Sequence, residues 1–464
     1  MRISKWIVLL TAVLVMAQIL AACAPAAAPQ PAEPAATQAP AEPAATQPPA
    51  EPAKPAEAAK PVVVAVWSGP EHDNLVKVAE EYTKKTGKEV IVEEVAREAY
   101  FDKLNTITAN CGKDYDAFYA MSDFIPTYVK AEGLKDLNTF FEDKNVASPD
   151  FSLDDYGMAT SFFTFDGKTY VLPSEGDTAW LWYRKDLFEK AGLKPPETWE
   201  EYYEAAKKLN DPANGLYGAV IGVKPDEAWW DFMFYLYGQG GELLNPDNSV
   251  AINSEASVKA LSFYANLLKE GLVPPDVSTY GYVEILESLS KGKAAMGIEW
   301  MAAAQDLLSC EKSLCDDKGQ PLLGYTLTPG VKQPDGTIKR HTGGSQWGWA
   351  IPACSENQVE AYKFIEWLTS PEGAKLWALN GGIPGNIKAL SDPEVVAKIP
   401  QFALLAEVMP YRSIFPTLTV SPEMLPVVNE GVVAAVTGTK TPEQAAADTA
   451  AKLEEILKSG GYIK

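Results

Sequence analysis

The residues best placed to do chemistry in this 464-residue chain are indoles and carboxylates. There are 12 Trp and 20 Tyr, against two His, His72 and His341, and no Cys-x-x-Cys pair, so no metal site is expected. Trp67, Trp180, Trp182, Trp229, Trp230, Trp300, Trp347 and Trp349 fall at expected strand ends and loops, and Glu71, Asp123, Asp177 and Glu299 fall near them. A flat ring covers the apolar C–H face of a sugar, while carboxylates accept hydrogen bonds from its hydroxyl rim. Unpaired acids repel an anion in a dehydrated cleft. Rings with acids also suit a polyamine or another cation. Asp123 and Asp177 are the carboxylate pair that a glycoside hydrolase would need. No phosphate-binding GxxxxGK[ST] stretch occurs, so an energy source would have to lie in a partner.

These residues need elements to position them. A continuous β-branched run at 61–67 reads as a strand buried on both faces. A helix is expected at 71–86, ending at Gly87, then strands at 88–95 and 115–121 around a helix at 100–109. This alternation predicts an open α/β sheet whose ligands sit beyond the carboxyl ends of the strands, at Trp67, Ser68, Met121, Ser122 and Asp123. The stretch 170–192 organises the rest: an apolar run, a break at Pro173, polar Ser174, Glu175 and Asp177, then an aromatic strand at 179–183. Such a segment suits a chain leaving one domain and entering another. Trp182 is expected to face away from Trp180, and Trp199 to be structural. A second α/β unit follows, with helices at 199–209, 229–237, 255–269 and 282–290 and strands at 215–223, 294–299 and 322–327. A strand at 345–351 and a helix at 358–368 return to the first unit. The mostly helical stretch 384–464 is expected to pack back on the second.

Composition bounds the address. The formal net charge of -22 argues against nucleic acid and against electrostatic attachment to anionic lipid. Arg2 and Lys5 precede a short apolar run that ends Leu20-Ala21-Ala22-Cys23, which resembles a bacterial lipobox with Cys23 as the lipid-bearing residue. The residues after it, to about 60, are rich in Pro and Ala, with one octapeptide repeated at 31–38 and 40–47, and read as an extended tether. Cys111, Cys310, Cys315 and Cys354 allow three disulfide connectivities. The short polar loop favours Cys310 with Cys315 and leaves the pairing of Cys111 and Cys354 open.

Pro173 followed by Tyr183-Arg184-Lys185-Asp186-Leu187-Phe188 resembles the signature of family 1 extracellular solute-binding proteins, the receptors of sugar-importing ABC transporters. Arg184 departs from the usual Asn or Asp. The blocks 240–242, 292–297, 343–344, 367–372 and 381–385 resemble the same family in order and spacing. The resemblance implies a two-lobed α/β fold of the type II periplasmic-binding class with three hinge crossings. It places one lobe at 61–175 and 329–380 and the other at 176–328 and 381–464, after a signal peptide at 1–23 and a tether at 24–60. It implies a monomeric, non-enzymatic receptor without a cofactor, tethered outside the cell membrane, that hands a sugar or oligosaccharide to ABC permease subunits. A polyamine or glycerol phosphodiester is the alternative ligand. By the same resemblance the ligand is held by Trp67, Ser68, Glu71, Ser122, Asp123, Asp177, Trp180, Trp229, Trp230, Trp300, Gly344, Ser345, Trp347 and Arg412.

Overall fold

The computed structural model describes residues 60–464, so Cys23 and the tether lie outside the described residues. Val62–Trp67 pairs in parallel with Val90–Val95 on one side and Ala117–Met121 on the other. Its run of apolar residues follows from burial on both faces. The helix Pro70–Thr86 turns Leu75, Val78, Ala79 and Tyr82 inward and stops at Gly87, whose φ of 73° only glycine adopts freely.

Two long strands join this sheet to the next. Thr342–Ala350 runs antiparallel to Ala117–Met121 and to Val171–Arg184, and the second half of Val171–Arg184 pairs with Met296–Trp300 and Leu323–Leu327. The expected break at Pro173 is not there: the strand is continuous from 171 to 184. A register shift opposite Trp347 and Gly348 accommodates Pro173, which has no N–H to offer the ladder. A third contact comes from Arg412–Ser413, parallel to Thr342 and Gly343. The strand expected at 215–223 is reduced to isolated bridges, Tyr217 to Ala294 and Val220 to Gly297. Its N–H groups are shared between the 293–296 segment and the 272–277 loop, so neither side forms a ladder.

The crossing strand serves two cores at once. Ala179 and Leu181 enter an apolar core with Trp229, Phe232, Tyr264, Val428 and Leu453. Trp180 and Trp182 enter another with Ile285, Leu289, Phe402 and Leu405. The two indoles lie on the same side, 6.0 Å apart, contrary to the expected opposition, because residues two apart on a strand share a face. A third core, built from 62–172 and 349–377, includes Val64, Phe118, Tyr128 and Phe364.

Two disulfides are formed. Cys310–Cys315 closes the local loop, and Cys111–Cys354 ties the end of the helix Arg97–Asn110 to the turn after Thr342–Ala350. Their sequence separations, 5 and 243, set how much unfolded-chain freedom each removes. Chain entropy assigns about 5 kcal/mol to the long closure and about 2 kcal/mol to the short one. The Cys111→Ser/Cys354→Ser variant should therefore lose more than twice the stability of Cys310→Ser/Cys315→Ser in urea unfolding. Equal losses would contradict this.

Candidate functional site

The parallel strands end at a cleft of about 480 Å³, within the ordinary range for small-ligand sites. Trp67, Met121 and Trp300, each the last residue of its strand, reach it. Pairing places Glu175 opposite Trp347 and Asp177 opposite Ser345, and these four residues line the cleft beside the crossing. One wall is aromatic. Trp67 packs against Trp347 at 4.6 Å, Trp347 stacks on Tyr119 at 5.3 Å, and Phe101 stacks on Phe124 at 4.4 Å. Across from it, Trp230 and Trp300 lie against the core that holds Phe415 and Phe234.

Six carboxylates line the same space: Glu71, Glu175, Asp177, Glu227, Asp231 and Glu299. Among the described lining residues none is Lys, Arg or His. Burial pushes the Asp177 carboxyl up to about 7 against the bonds it accepts from the Thr178 and Ala302 N–H groups and the pull of Arg412. Burial likewise takes Asp231 to about 7, although Gly222 N–H and the Tyr264 hydroxyl donate to its Oδ2. Glu299 is raised well above the usual range by burial and then by Asp231, with Asp177 and Glu227 adding to it. Glu175 is raised by burial and by Asp177 and Glu71, while the Tyr119 hydroxyl, 2.7 Å from its Oε2, opposes the shift. Glu227 accepts from the Tyr282 N–H at 3.0 Å, and Gly281 lies so close that a Cβ there would sit 2.2 Å from its Oε2. Among the described residues, no group of three or more acids, His or Cys is arranged to hold a metal ion.

Of the residues expected from the sequence, Trp67, Glu71, Asp177, Trp230, Trp300, Ser345 and Trp347 come together here. Ser68, Ser122, Asp123, Trp180, Trp229, Gly344 and Arg412 are not among the lining residues. Trp229 and Trp230 are neighbours on the helix Ala228–Gly238, so one turns inward against Phe415 as the other faces the cleft. Ser122 is buried and donates to Asp123 Oδ1 at 2.9 Å, and burial pushes the Asp123 carboxyl up to about 7. Arg412 is only 3% exposed. It donates to the carbonyls of Asp177 at 3.2 Å and Ser345 at 2.8 Å, and also to Gln346 Oε1, so it stitches the two crossing strands together. Burial lowers its pKa to about 10, which leaves it charged at neutral pH. Sequence reasoning missed Phe101, Phe124, Glu227, Asp231 and Tyr282 as lining residues. A lone acid inside the aromatic helix, Asp231, was the available signal.

The family model for bacterial extracellular solute-binding proteins matches residues 68–375. The chain belongs to this family. Its members are binding proteins, and among the described residues of this solute-binding protein no helix is long and apolar enough to cross a membrane. It is 27% identical over 410 residues to a probable amino-acid ABC transporter periplasmic-binding protein of Sinorhizobium fredii, covering 86% of this chain and 89% of that one. It is 28% identical over 343 residues to the mannitol-binding protein of Pseudomonas aeruginosa, covering 68% and 76%. The solved structure of a solute-binding protein from Agrobacterium radiobacter in complex with ribitol matches with a TM-score of 0.70 at 28% identity, over 85% of this chain and all of that one. A maltose-bound protein of T. maritima matches with a TM-score of 0.70 at 26% identity, covering 85% and 99%. The two-lobed binding-protein fold is thereby established.

The raised acids have a consequence for stability. Asp231 keeps a proton in the folded chain up to about pH 7, whereas the unfolded chain releases it near about 4. Between those values the unfolded state binds fewer protons, so stability falls as pH rises, by about 1.4 kcal/mol per pH unit for one such group. Asp231→Asn should flatten the pH dependence of Tm between pH 4 and 7. An unchanged slope would show that the carboxyl titrates at its ordinary value.

Proposed function

We propose that this solute-binding protein captures a sugar or sugar alcohol in the cleft and presents it to the permease of an ABC transporter. One observation carries the reading: four indoles, from Trp67, Trp230, Trp300 and Trp347, converge from opposite walls on a space rich in hydrogen-bond acceptors and without a lining base. Flat rings cover C–H faces, and carboxyl groups both accept from hydroxyls and, where protonated, donate to ring oxygens. The mannitol and ribitol partners of its relatives support the same class. An amino acid or a glycerol phosphodiester would bring an anionic group to a cleft with no lining cation. Asp123 is not among the residues that line the cleft, which disfavours Asp123 with Asp177 as the carboxylate pair of a hydrolase. Lipidation of Cys23 and an extended tether would hold the receptor at the outer face of the membrane.

Ligand that bridges both walls favours a closed arrangement over an open one. Trp230→Ala and Trp300→Ala should each weaken sugar binding by about 2 kcal/mol, near thirtyfold, with little loss of stability. Trp229→Ala, one residue away but wholly buried, should instead cost about 3 kcal/mol or more of stability. A thermal-shift series with mannitol, ribitol, maltose and spermidine reads the ligand class, because a ligand at 100 times its Kd adds about 2.7 kcal/mol. Stabilisation by spermidine alone would sink the sugar reading.

A further inference from the structure

The chemistry of the cleft is lopsided in a way that hydroxyl recognition alone does not require. The six acids that line it lie within reach of one another's fields, since Asp177 and Glu71 act on Glu175, and Asp231, Asp177 and Glu227 act on Glu299. Ionised carboxylates crowded into a space shielded from water repel one another. Nearby cations do little to relieve this. Arg412 acts on Asp177, but its Nη groups are bonded to two backbone carbonyls and Gln346. Lys224 pairs with Glu227 at the rim.

A second observation singles out one of the six. Asp231 is 7% exposed and lines the cleft, yet its Oδ1 has no hydrogen-bond partner, while its Oδ2 is held by Gly222 and Tyr264. A buried carboxyl oxygen left unpaired costs free energy unless something that enters the cleft satisfies it. The group that suits it is a donor, and beside Glu299 and Asp177 the donor that also relieves repulsion is a cation. An ammonium offers three N–H donors and makes charge-assisted bonds to carboxylates. The indoles of Trp230 and Trp300 line the same space and provide ring faces that attract a cation.

We propose that the ligand is an amine-bearing sugar or sugar alcohol whose ammonium group sits among Asp177, Asp231 and Glu299, while its hydroxylated carbons lie against the indoles. The proposal rests on the sugar-receptor reading and adds the charge. Binding then expels protons. The acids that face the ammonium ionise as it arrives, opposed by the neighbouring Glu71, Glu175 and Glu227, with the Tyr119 and Tyr264 hydroxyls on Glu175 and Asp231 and with Arg412 behind Asp177.

Matched pairs that differ only by amine against hydroxyl test this on the full chain: glucamine with glucitol, glucosamine with glucose, and galactosamine with galactose. Calorimetry in two buffers of different ionisation enthalpy reads affinity and proton release together. In at least one pair the amine is expected to bind at least about tenfold tighter at pH 7, to release protons, and to lose that advantage on acidification to pH 5. In Asp231→Asn the amine-to-hydroxyl ratio should shrink at least about threefold, and an unchanged ratio would overturn the placement of the ammonium. Equal or tighter binding by the hydroxyl member of every pair that binds would overturn the inference and leave the sugar receptor standing. Binding by no member of any pair would overturn both.

Discussion

The antiparallel pairing of Val171–Arg184 with Thr342–Ala350 is the constraint on which the rest of the molecule depends. Each strand begins beside one apolar core and ends beside another, so their shared ladder is at once a sheet interior and a joint. Such a joint must be stiff enough to align two walls. The Arg412 guanidinium supplies part of that stiffness by bonding to a carbonyl of each strand. Gly176 leaves it room, since a Cβ at that position would lie 2.7 Å from Arg412 Nη1. Asp177 adds a further tie, reaching from the crossing to the Ala302 N–H after the strand Met296–Trp300.

From that joint the cleft follows almost geometrically. The bulge at Ser174, next to Pro173, sets which side chains of the crossing strand face the ligand space, so Glu175 and Asp177 line it while Trp180 and Trp182 enter an apolar core. The parallel strands Val62–Trp67 and Ala117–Met121 end on one wall, and Met296–Trp300 ends on the other. Acids buried at such a place are costly to ionise, and their raised pKa values follow from it.

Much of this was legible in the residues. Helices with sharp chemical ends were read to within a residue: Trp199–Leu209 begins at a capping box on Thr198, and Glu255–Lys269 begins at Ser254. The cleft residues Trp67 and Met121 followed from the rule for open α/β sheets, and Trp300 from the family resemblance. What escaped was what depends on distant contacts. Proline normally ends a central strand, and only the bulge at Ser174, opposite Trp347 and Gly348, shows why Pro173 does not. The family resemblance places Arg412 at the ligand, yet the carbonyls that hold it belong to residues more than 60 positions away in sequence. Glu227 escaped because nothing local distinguishes a helix-start acid from a ligand-facing one, whereas Asp231 stood out as a lone acid in the aromatic helix Ala228–Gly238.

The distribution of indoles has an optical consequence. Trp180, Trp182 and Trp229 are sealed in apolar cores and should emit unchanged whatever enters the protein. Trp67, Trp230, Trp300 and Trp347 share one polar hollow with six acids, where any guest alters both solvation and local field. The molecule therefore carries its own fluorophores at the point of capture, set against a constant internal reference, and occupancy can be followed in the unlabelled chain by the colour and intensity of its ultraviolet emission.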